Sequence, residues 1–289
     1  MWDPYRLDES TGIRTPPNPV RHRELEYDSR GHERLAAMQR DHFWYRGRHR
    51  FLLHAVRTWA VPRFPRDSSP RVIDLGAGGG GWVRYLAESS PWTAAEWAIG
   101  DSSVPSLRSA ARSLPPHAGR YHADVLDLQW ADRWDCAFLL DVLEHLPDHE
   151  GALRETARAV APGGLLFVTV PAMQAFWSYV DEVAHHQRRY HVADFAPLAR
   201  ATGWRLLDCR YFMFFLSPLL RWSRSRQARA VERMTFDERL ALAQRGDAIP
   251  PGPINLALSA VFAGETPLGH RLRFPWGSSL LAVMEKPGR

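Results

Sequence analysis

Lysine is almost absent from this chain: Lys286 is the only one among 37 basic residues, and the rest are arginine. The formal net charge of +5 and the isoelectric point near 9.5 therefore come from a chain-wide arginine bias. Nucleic acid, a phosphorylated metabolite or an acidic lipid surface all fit that balance, but the bias produces it without any dedicated polyanion groove. Cysteine is scarce as well. Cys136 and Cys209 match no zinc or redox spacing, which excludes a disulfide scaffold and reads as two small buried residues in a reducing compartment. No run of 18 apolar residues exists, and the opening Met-Trp-Asp-Pro-Tyr-Arg lacks the apolar core of a signal peptide. These absences point to the cytoplasm. No internal repeat is visible, and nothing in the pattern specifies an oligomeric state. With 45% hydrophobic and 24% charged residues, the 289-residue chain has the make-up of one large α/β domain with additions. Twelve tryptophans are more than expected, and those outside the expected strands are candidates to line a substrate pocket.

What the chain does have is one stretch that organises the rest, Arg71-Val72-Ile73-Asp74-Leu75-Gly76-Ala77-Gly78-Gly79-Gly80-Gly81-Trp82. A short apolar run ends in an acid and a glycine cluster, and apolar residues then return at helical spacing (Val83, Leu86, Ala87), which predicts strand, tight turn and helix. Glycines let the backbone approach a ligand, and Asp74 with the free N–H groups of the helix start can hold polar ligand atoms. Further acids stand at the ends of the next expected strands, at Asp101, Asp124 and Asp141. In an open parallel sheet a ligand binds outside those ends. Gly76-x-Gly78-x-x-Gly81 also fits a dinucleotide fingerprint, so the glycines alone leave a nicotinamide cofactor open.

Asp74-Leu75-Gly76-Ala77-Gly78-Gly79-Gly80 resembles motif I of the class I S-adenosylmethionine-dependent methyltransferases. Ile99-Gly100-Asp101-Ser102, Ala123-Asp124-Val125, Leu140 to His145, Ala161-Pro162-Gly163-Gly164 and Leu165 to Pro171 follow in the family's order, so the resemblance spans about residues 71 to 171. It implies a Rossmann-like α/β fold: a seven-stranded, mostly parallel sheet with an antiparallel last strand, helices on both faces, an N-terminal helical lid and a helical insertion before the last strand. It also implies S-adenosylmethionine as methyl donor and S-adenosylhomocysteine as product. In the residue roles it carries over, Asp74, Gly76 and Gly78 cradle the donor, Asp101 with Ser102 takes the ribose hydroxyls, and Asp124 takes the adenine amino group with Val125 as backbone donor. Asp141 lies near the sulfur. The string His42-Phe43-Trp44-Tyr45-Arg46-Gly47-Arg48 is similar to an N-terminal segment of bacterial small-molecule methyltransferases, in which Trp44 would pack on the donor and Arg46 pair with its carboxylate. An aromatic helix face on the sheet with solvated arginines is the alternative.

The Asn/Asp-Pro-Pro-aromatic motif of nucleic-acid amino methyltransferases is missing at Asp141-Val142-Leu143-Glu144-His145, which argues against a nucleic-acid partner. His145 and His149 stand four apart, but Pro147 between them spoils a helical pair, so no metal site is expected. The segment from Trp177 to Tyr190 gathers acid, imidazole, guanidinium and phenol just past a strand end. His186-Gln187-Arg188-Arg189-Tyr190 resembles a Gly-His-x-Arg-Arg-Tyr pattern of bacterial methyltransferases, with His185 in place of the glycine. His186, Asp181 and Tyr190 are the candidate catalytic residues: His186 as base for an acceptor that must lose a proton, and Asp181 to orient it. Arg188 and Arg189 either hold an acceptor's anionic group or pair with Asp181 and Glu182.

By domain, residues 1–30 read as a mobile arm, 31–61 as the lid with a helical pattern from Glu33, and 62–289 as the methyltransferase domain, with 172–191 and 212–275 building the acceptor pocket and cap. The apolar stretch at Phe212 to Leu216 adjoins Arg221, Arg224, Arg226 and Arg229, which suits either a lipid-like acceptor and peripheral membrane contact or a plain helical cap. The expected activity is methyl transfer to an O or N atom of a small-molecule acceptor, anionic or lipid-like, in a biosynthetic pathway. The rivals are an RNA or protein methyltransferase and a non-methylating cyclase or binding relative that retains the cofactor.

Overall fold

The computed structural model describes residues 3–20, 38–246 and 248–288. The helical pattern expected from Glu33, and the parts of the expected arm and lid at 1–2 and 21–37, lie outside the described residues. Among the described residues nine strands form one mixed sheet: β1 (Arg6–Asp8), β2 (Ile13–Thr15), β3 (Arg71–Leu75), β4 (Glu96–Asp101), β5 (Gly119–His122), β6 (Trp134–Leu140), β7 (Val160–Pro171), β8 (Arg205–Phe212) and β9 (Ser279–Glu285). Their order across the sheet is β1-β2-β5-β4-β3-β6-β7-β9-β8. Strands β5, β4, β3, β6 and β7 run parallel, and β9 inserts antiparallel between β7 and β8.

The expected count of seven is therefore corrected to nine. Residues 6–15, assigned to the arm, form an antiparallel hairpin whose second strand pairs with β5. Tyr5 anchors it, stacked on Trp130 at 4.4 Å with its hydroxyl donating to the Leu128 carbonyl at 2.9 Å. Three-residue strands carry no readable alternation, and their stability comes from this distant aromatic pocket.

Helices cover both faces: α1 (Phe43–Trp59), α2 (Gly81–Ser89), α3 (Val104–Ala110), α4 (His149–Ala159), α5 (Tyr179–Val183), α6 (Val192–Ala201), α7 (Ser217–Val231), α8 (Phe236–Gly246) and α9 (Gly252–Arg271). Because side chains alternate along each strand, Val72, Ile99, Cys136, Phe138 and Val283 enter the core on one face, and Ile73, Ala98, Ala137 and Leu139 that on the other. The first core also takes Phe51, Leu52 and Val56 of α1, so the helix expected to cover the site has its inner face packed into the molecule. It meets α9 at Gly47, where a Cβ would lie 1.9 Å from the Phe262 ring. Trp82, Trp92, Trp130 and Trp134 are fully buried in the two cores, which is where much of the tryptophan excess goes rather than to a pocket. Helices α7 to α9 fill the stretch between β8 and β9.

Candidate active site

The chain turns sharply at the end of β3 because Gly76, Gly78 and Gly80 all adopt left-handed backbone, at φ of 70°, 54° and 72°. At Gly76 a side chain is excluded on two grounds: its φ, and Val142 Cγ2, which would stand 2.6 Å from an added Cβ. The amides of Gly76 and Ala77 bond to the Gly100 carbonyl, strapping the turn to the end of β4. Asp101, the last residue of β4, completes the strap: Oδ2 accepts from the Gly78 amide at 2.9 Å and Oδ1 from the Ser103 amide at 2.8 Å.

Two more carboxylates face this turn. Asp74 is 3% exposed, and its Oδ1 has no hydrogen-bond partner. Asp141 follows β6 in left-handed backbone at φ 59° and accepts from the Thr169 hydroxyl at 3.3 Å. Burial raises the Asp74 pKa to about 8; the Arg48 charge opposes the rise, and Asp101 and Asp141 add to it.

Arg48 is the cation that enters this acid cluster. Its side chain is 5% exposed, pairs with Asp141, and lies over the rings of Trp44 at 4.8 Å and Tyr45 at 5.1 Å. Arg46, the arginine named from the sequence, is exposed on another side of α1, whereas Trp44 is half-buried beside Arg48. Sequence reasoning also passed over Gln39, whose Oε1 accepts from the Gly81 amide at the start of α2. Trp44 and Arg48 are four residues apart and share a helix face, and that spacing was the available signal.

Asp124 Oδ1 accepts from the Leu126 amide at 3.0 Å and so caps the turn after β5, with Val125 half-buried beside it. The Ser102 carbonyl lies 3.1 Å from His122 Nε2.

Past the end of β7 the chain folds back so that Ala172 pairs with Tyr190. Asp181, fully buried, is the hub of this segment. Its Oδ2 accepts from the Ser178 amide at 2.8 Å, while Oδ1 meets His186 Nδ1 at 3.0 Å and Arg189 Nε at 2.7 Å. Burial by itself raises its pKa, but the His186 hydrogen bond and the Arg189 guanidinium outweigh that and hold it at about 2. Asp181 and His186 are thus together. Tyr190 is set apart: its hydroxyl donates to the Leu143 carbonyl and lies 2.9 Å from His149 Nδ1, a structural lock, and burial pushes its pKa up.

Arg189 spends its guanidinium on Asp181 and the Ala172 carbonyl, and Arg188 donates to the Pro147 carbonyl. His145 meets the ring of His186 at 4.8 Å, while His149 lies on Tyr190, so the histidines approach one another across the sequence rather than along it. Glu144, 1% exposed, stands between the two groups of residues. Burial drives its pKa well above the carboxylate range; Asp141 adds to this, and Arg189 and Arg48 oppose it. Beside the segment, a cavity of about 380 Å³ opens between α5 and α7, lined by Phe176, Trp177, Tyr179, Arg221, Arg224 and Arg239.

Residues 37–208 match a family described as a methyltransferase domain. Trans-aconitate 2-methyltransferase of Azoarcus sp. (strain BH72) is 34% identical over 147 residues, 51% of this chain and 54% of that protein. The chain spans about half the length of the curated relatives it matches. Phosphoethanolamine N-methyltransferase 2 of Haemonchus contortus, solved in complex with S-adenosyl-L-methionine, superposes with a TM-score of 0.57 at 16% identity, covering 95% of this chain and 62% of that one. The cyclase SpnF superposes with a TM-score of 0.50 at 21% identity, covering 95% and 89%. At these identities the structural likeness shows the fold.

Proposed function

The chain belongs to the class I S-adenosylmethionine-dependent methyltransferases, and from that premise we propose that it methylates an oxygen or nitrogen atom of a small-molecule or lipid-like acceptor in a biosynthetic pathway. The observation that carries the donor half of this reading is Asp74 Oδ1, a buried carboxylate oxygen without a partner beside a turn that admits no side chain. Asp74, Asp101 and Asp141 around one buried guanidinium offer carboxyl oxygens that suit a ligand's hydroxyl and ammonium groups better than the phosphates of a dinucleotide. Asp101 holds the ribose hydroxyls, Asp124 and Val125 the adenine edge, and Trp44 with Arg48 closes the methionine end.

The donor supplies a methyl on a sulfonium: that S–C bond breaks with its pair left on sulfur, and the acceptor's lone pair takes the methyl. Most of the remaining work is alignment. His186, oriented by Asp181, is the residue that activates the acceptor. The lipid-like option is supported by the exposed large apolar residues: all those described except Leu7 lie between Phe215 and Trp276, on and around α7 to α9. Peripheral contact with an anionic membrane belongs to the same reading.

Calorimetry with S-adenosylmethionine, S-adenosylhomocysteine and NAD, followed by radiolabelled methyl transfer to fractionated extracts, tests it. Saturable binding of the first two with no heat from NAD is expected. Binding of NAD alone ends the assignment, and donor binding without transfer to any fraction points to the non-methylating rival.

A further inference from the structure

We propose that Glu144, His145 and His186 form a binding site for one divalent transition-metal cation on the acceptor side of the cleft. One ligand atom from each of these side chains lies within 4.8 Å of the others. Two ligands bound at roughly 2.0 to 2.2 Å from a zinc-like ion stand about 3.5 Å apart, so small side-chain rotations close the set. The three residues come from two separate stretches, the loop after β6 and the segment after α5, brought together when the Gln187 amide bonds to the Glu144 carbonyl at 2.7 Å.

Two features of the surroundings point to a cation rather than to a packed polar cluster. First, Glu144 Oε2 is buried without any hydrogen-bond partner in a residue 1% exposed. A carboxylate so placed is strongly disfavoured unless it is protonated or given a positive partner, and neither Arg48 nor Arg189 bonds to it. Second, His186 is oriented as metal-bound histidines are. With Nδ1–H donated to Asp181, Nε2 keeps its lone pair and points it away from that carboxylate, and Asp181 is in turn held by the Ser178 amide and Arg189.

One carboxylate and two imidazoles suit Zn²⁺, Co²⁺, Fe²⁺ or Mn²⁺ better than Ca²⁺ or Mg²⁺. Three protein ligands also leave coordination positions open. For function the site rests on the methyltransferase reading: an acceptor hydroxyl placed on the cation would have its pKa lowered and give up its proton to solvent water, and the resulting alkoxide or phenolate would take the methyl as the donor's S–C bond breaks with its pair left on sulfur. His186 then acts by holding the cation, and its Nε2 is no longer a proton acceptor.

The test uses the full chain, stripped with a chelator and titrated with Co²⁺, with S-adenosylhomocysteine affinity measured in parallel. One equivalent of Co²⁺ with tetrahedral or five-coordinate visible absorption is expected. Glu144→Gln and His186→Ala each lower Co²⁺ affinity at least 100-fold, Asp181→Asn lowers it about 10- to 100-fold, and all three retain S-adenosylhomocysteine binding. Should Glu144→Gln not fold, His186→Ala, at a partly exposed position, carries the comparison. The site is overturned by substoichiometric Co²⁺ binding to a wild-type chain that still binds S-adenosylhomocysteine, or by equal Co²⁺ affinity in wild type and the folded variants. Normal Co²⁺ binding in a chain that binds no S-adenosylhomocysteine upholds the metal site and removes the methyltransferase reading instead.

Discussion

At Asp74 a single carboxyl joins stability to ligand binding. Because its folded pKa lies near 8 rather than near 4, the native chain holds a proton that the unfolded chain has released between those values, and stability falls as pH rises through that window. Asp74→Asn removes that slope. Its melting temperature should gain on wild type progressively from pH 5 to pH 9 while donor affinity drops; parallel pH curves in thermal scans would show that the burial penalty is not felt. Asp101 has two duties, the glycine strap and the proposed ribose contact, so Asp101→Ala should weaken S-adenosylhomocysteine by at least the value of one charged hydrogen bond, about 1.5 to 3 kcal/mol by calorimetry. Unchanged affinity would leave it only the strap. His185 stands where the family pattern has glycine, and the backbone keeps the left-handed form at φ 57° regardless. His185→Gly should therefore raise stability by about 0.5 to 1 kcal/mol in urea unfolding, the relief of left-handed strain outweighing a distant ring contact with Phe236.

The glycine turn and the loop after β6 behave as one element. Val142 occupies the space a Cβ at Gly76 would need, so the two strand ends are keyed by the absence of one side chain and the presence of another. Gly76→Ala should cost about 2 to 4 kcal/mol from left-handed strain plus overpacking. Adding Val142→Ala should recover the overpacking part, and a double-mutant cycle with no coupling would separate the two loops. Strand β3, its turn and α2 were legible in the sequence because strand, turn and helix are neighbours in the chain and each carries its own signal. Helix α1 was legible as a helix but not in its facing. Which arginine points inward is decided by Gly47 seating on Phe262 of α9, more than 200 residues away, and this turns Arg48 rather than Arg46 toward Asp141.

Across the whole molecule, many of the arginines are in ion pairs: Arg71 with Asp135, Arg133 with Glu96, Arg63 and Arg205 with Glu285, and Arg210 and Arg273 with Asp208. The composition pointed to a basic protein, and these pairs neutralise part of that charge. The contrast is the cap, where Leu219 and Trp222 are exposed on the same helix as Arg221, Arg224 and Arg226. None of the described helices is long and apolar enough to cross a membrane. The full chain should sediment with vesicles containing phosphatidylserine at low salt and lose that binding as salt is raised. Trp222→Ser should weaken it several-fold, as expected for one aromatic residue leaving the interface. Equal behaviour on neutral vesicles would remove the electrostatic part of the contact.

The strand, turn and helix at the glycines, the acids at successive strand ends and the final strand were determined by the sequence alone, because each rests on periodicity or on backbone freedom within a few neighbouring residues; the antiparallel direction of that final strand came only from the family resemblance. Tertiary structure alone decided the hairpin added at β5, the burial of the tryptophans, the choice of Arg48, and the meeting of Glu144 and His145 with His186. These depend on which distant surfaces pack together, and no local pattern encodes the contact energy between side chains that only the closed sheet brings within reach.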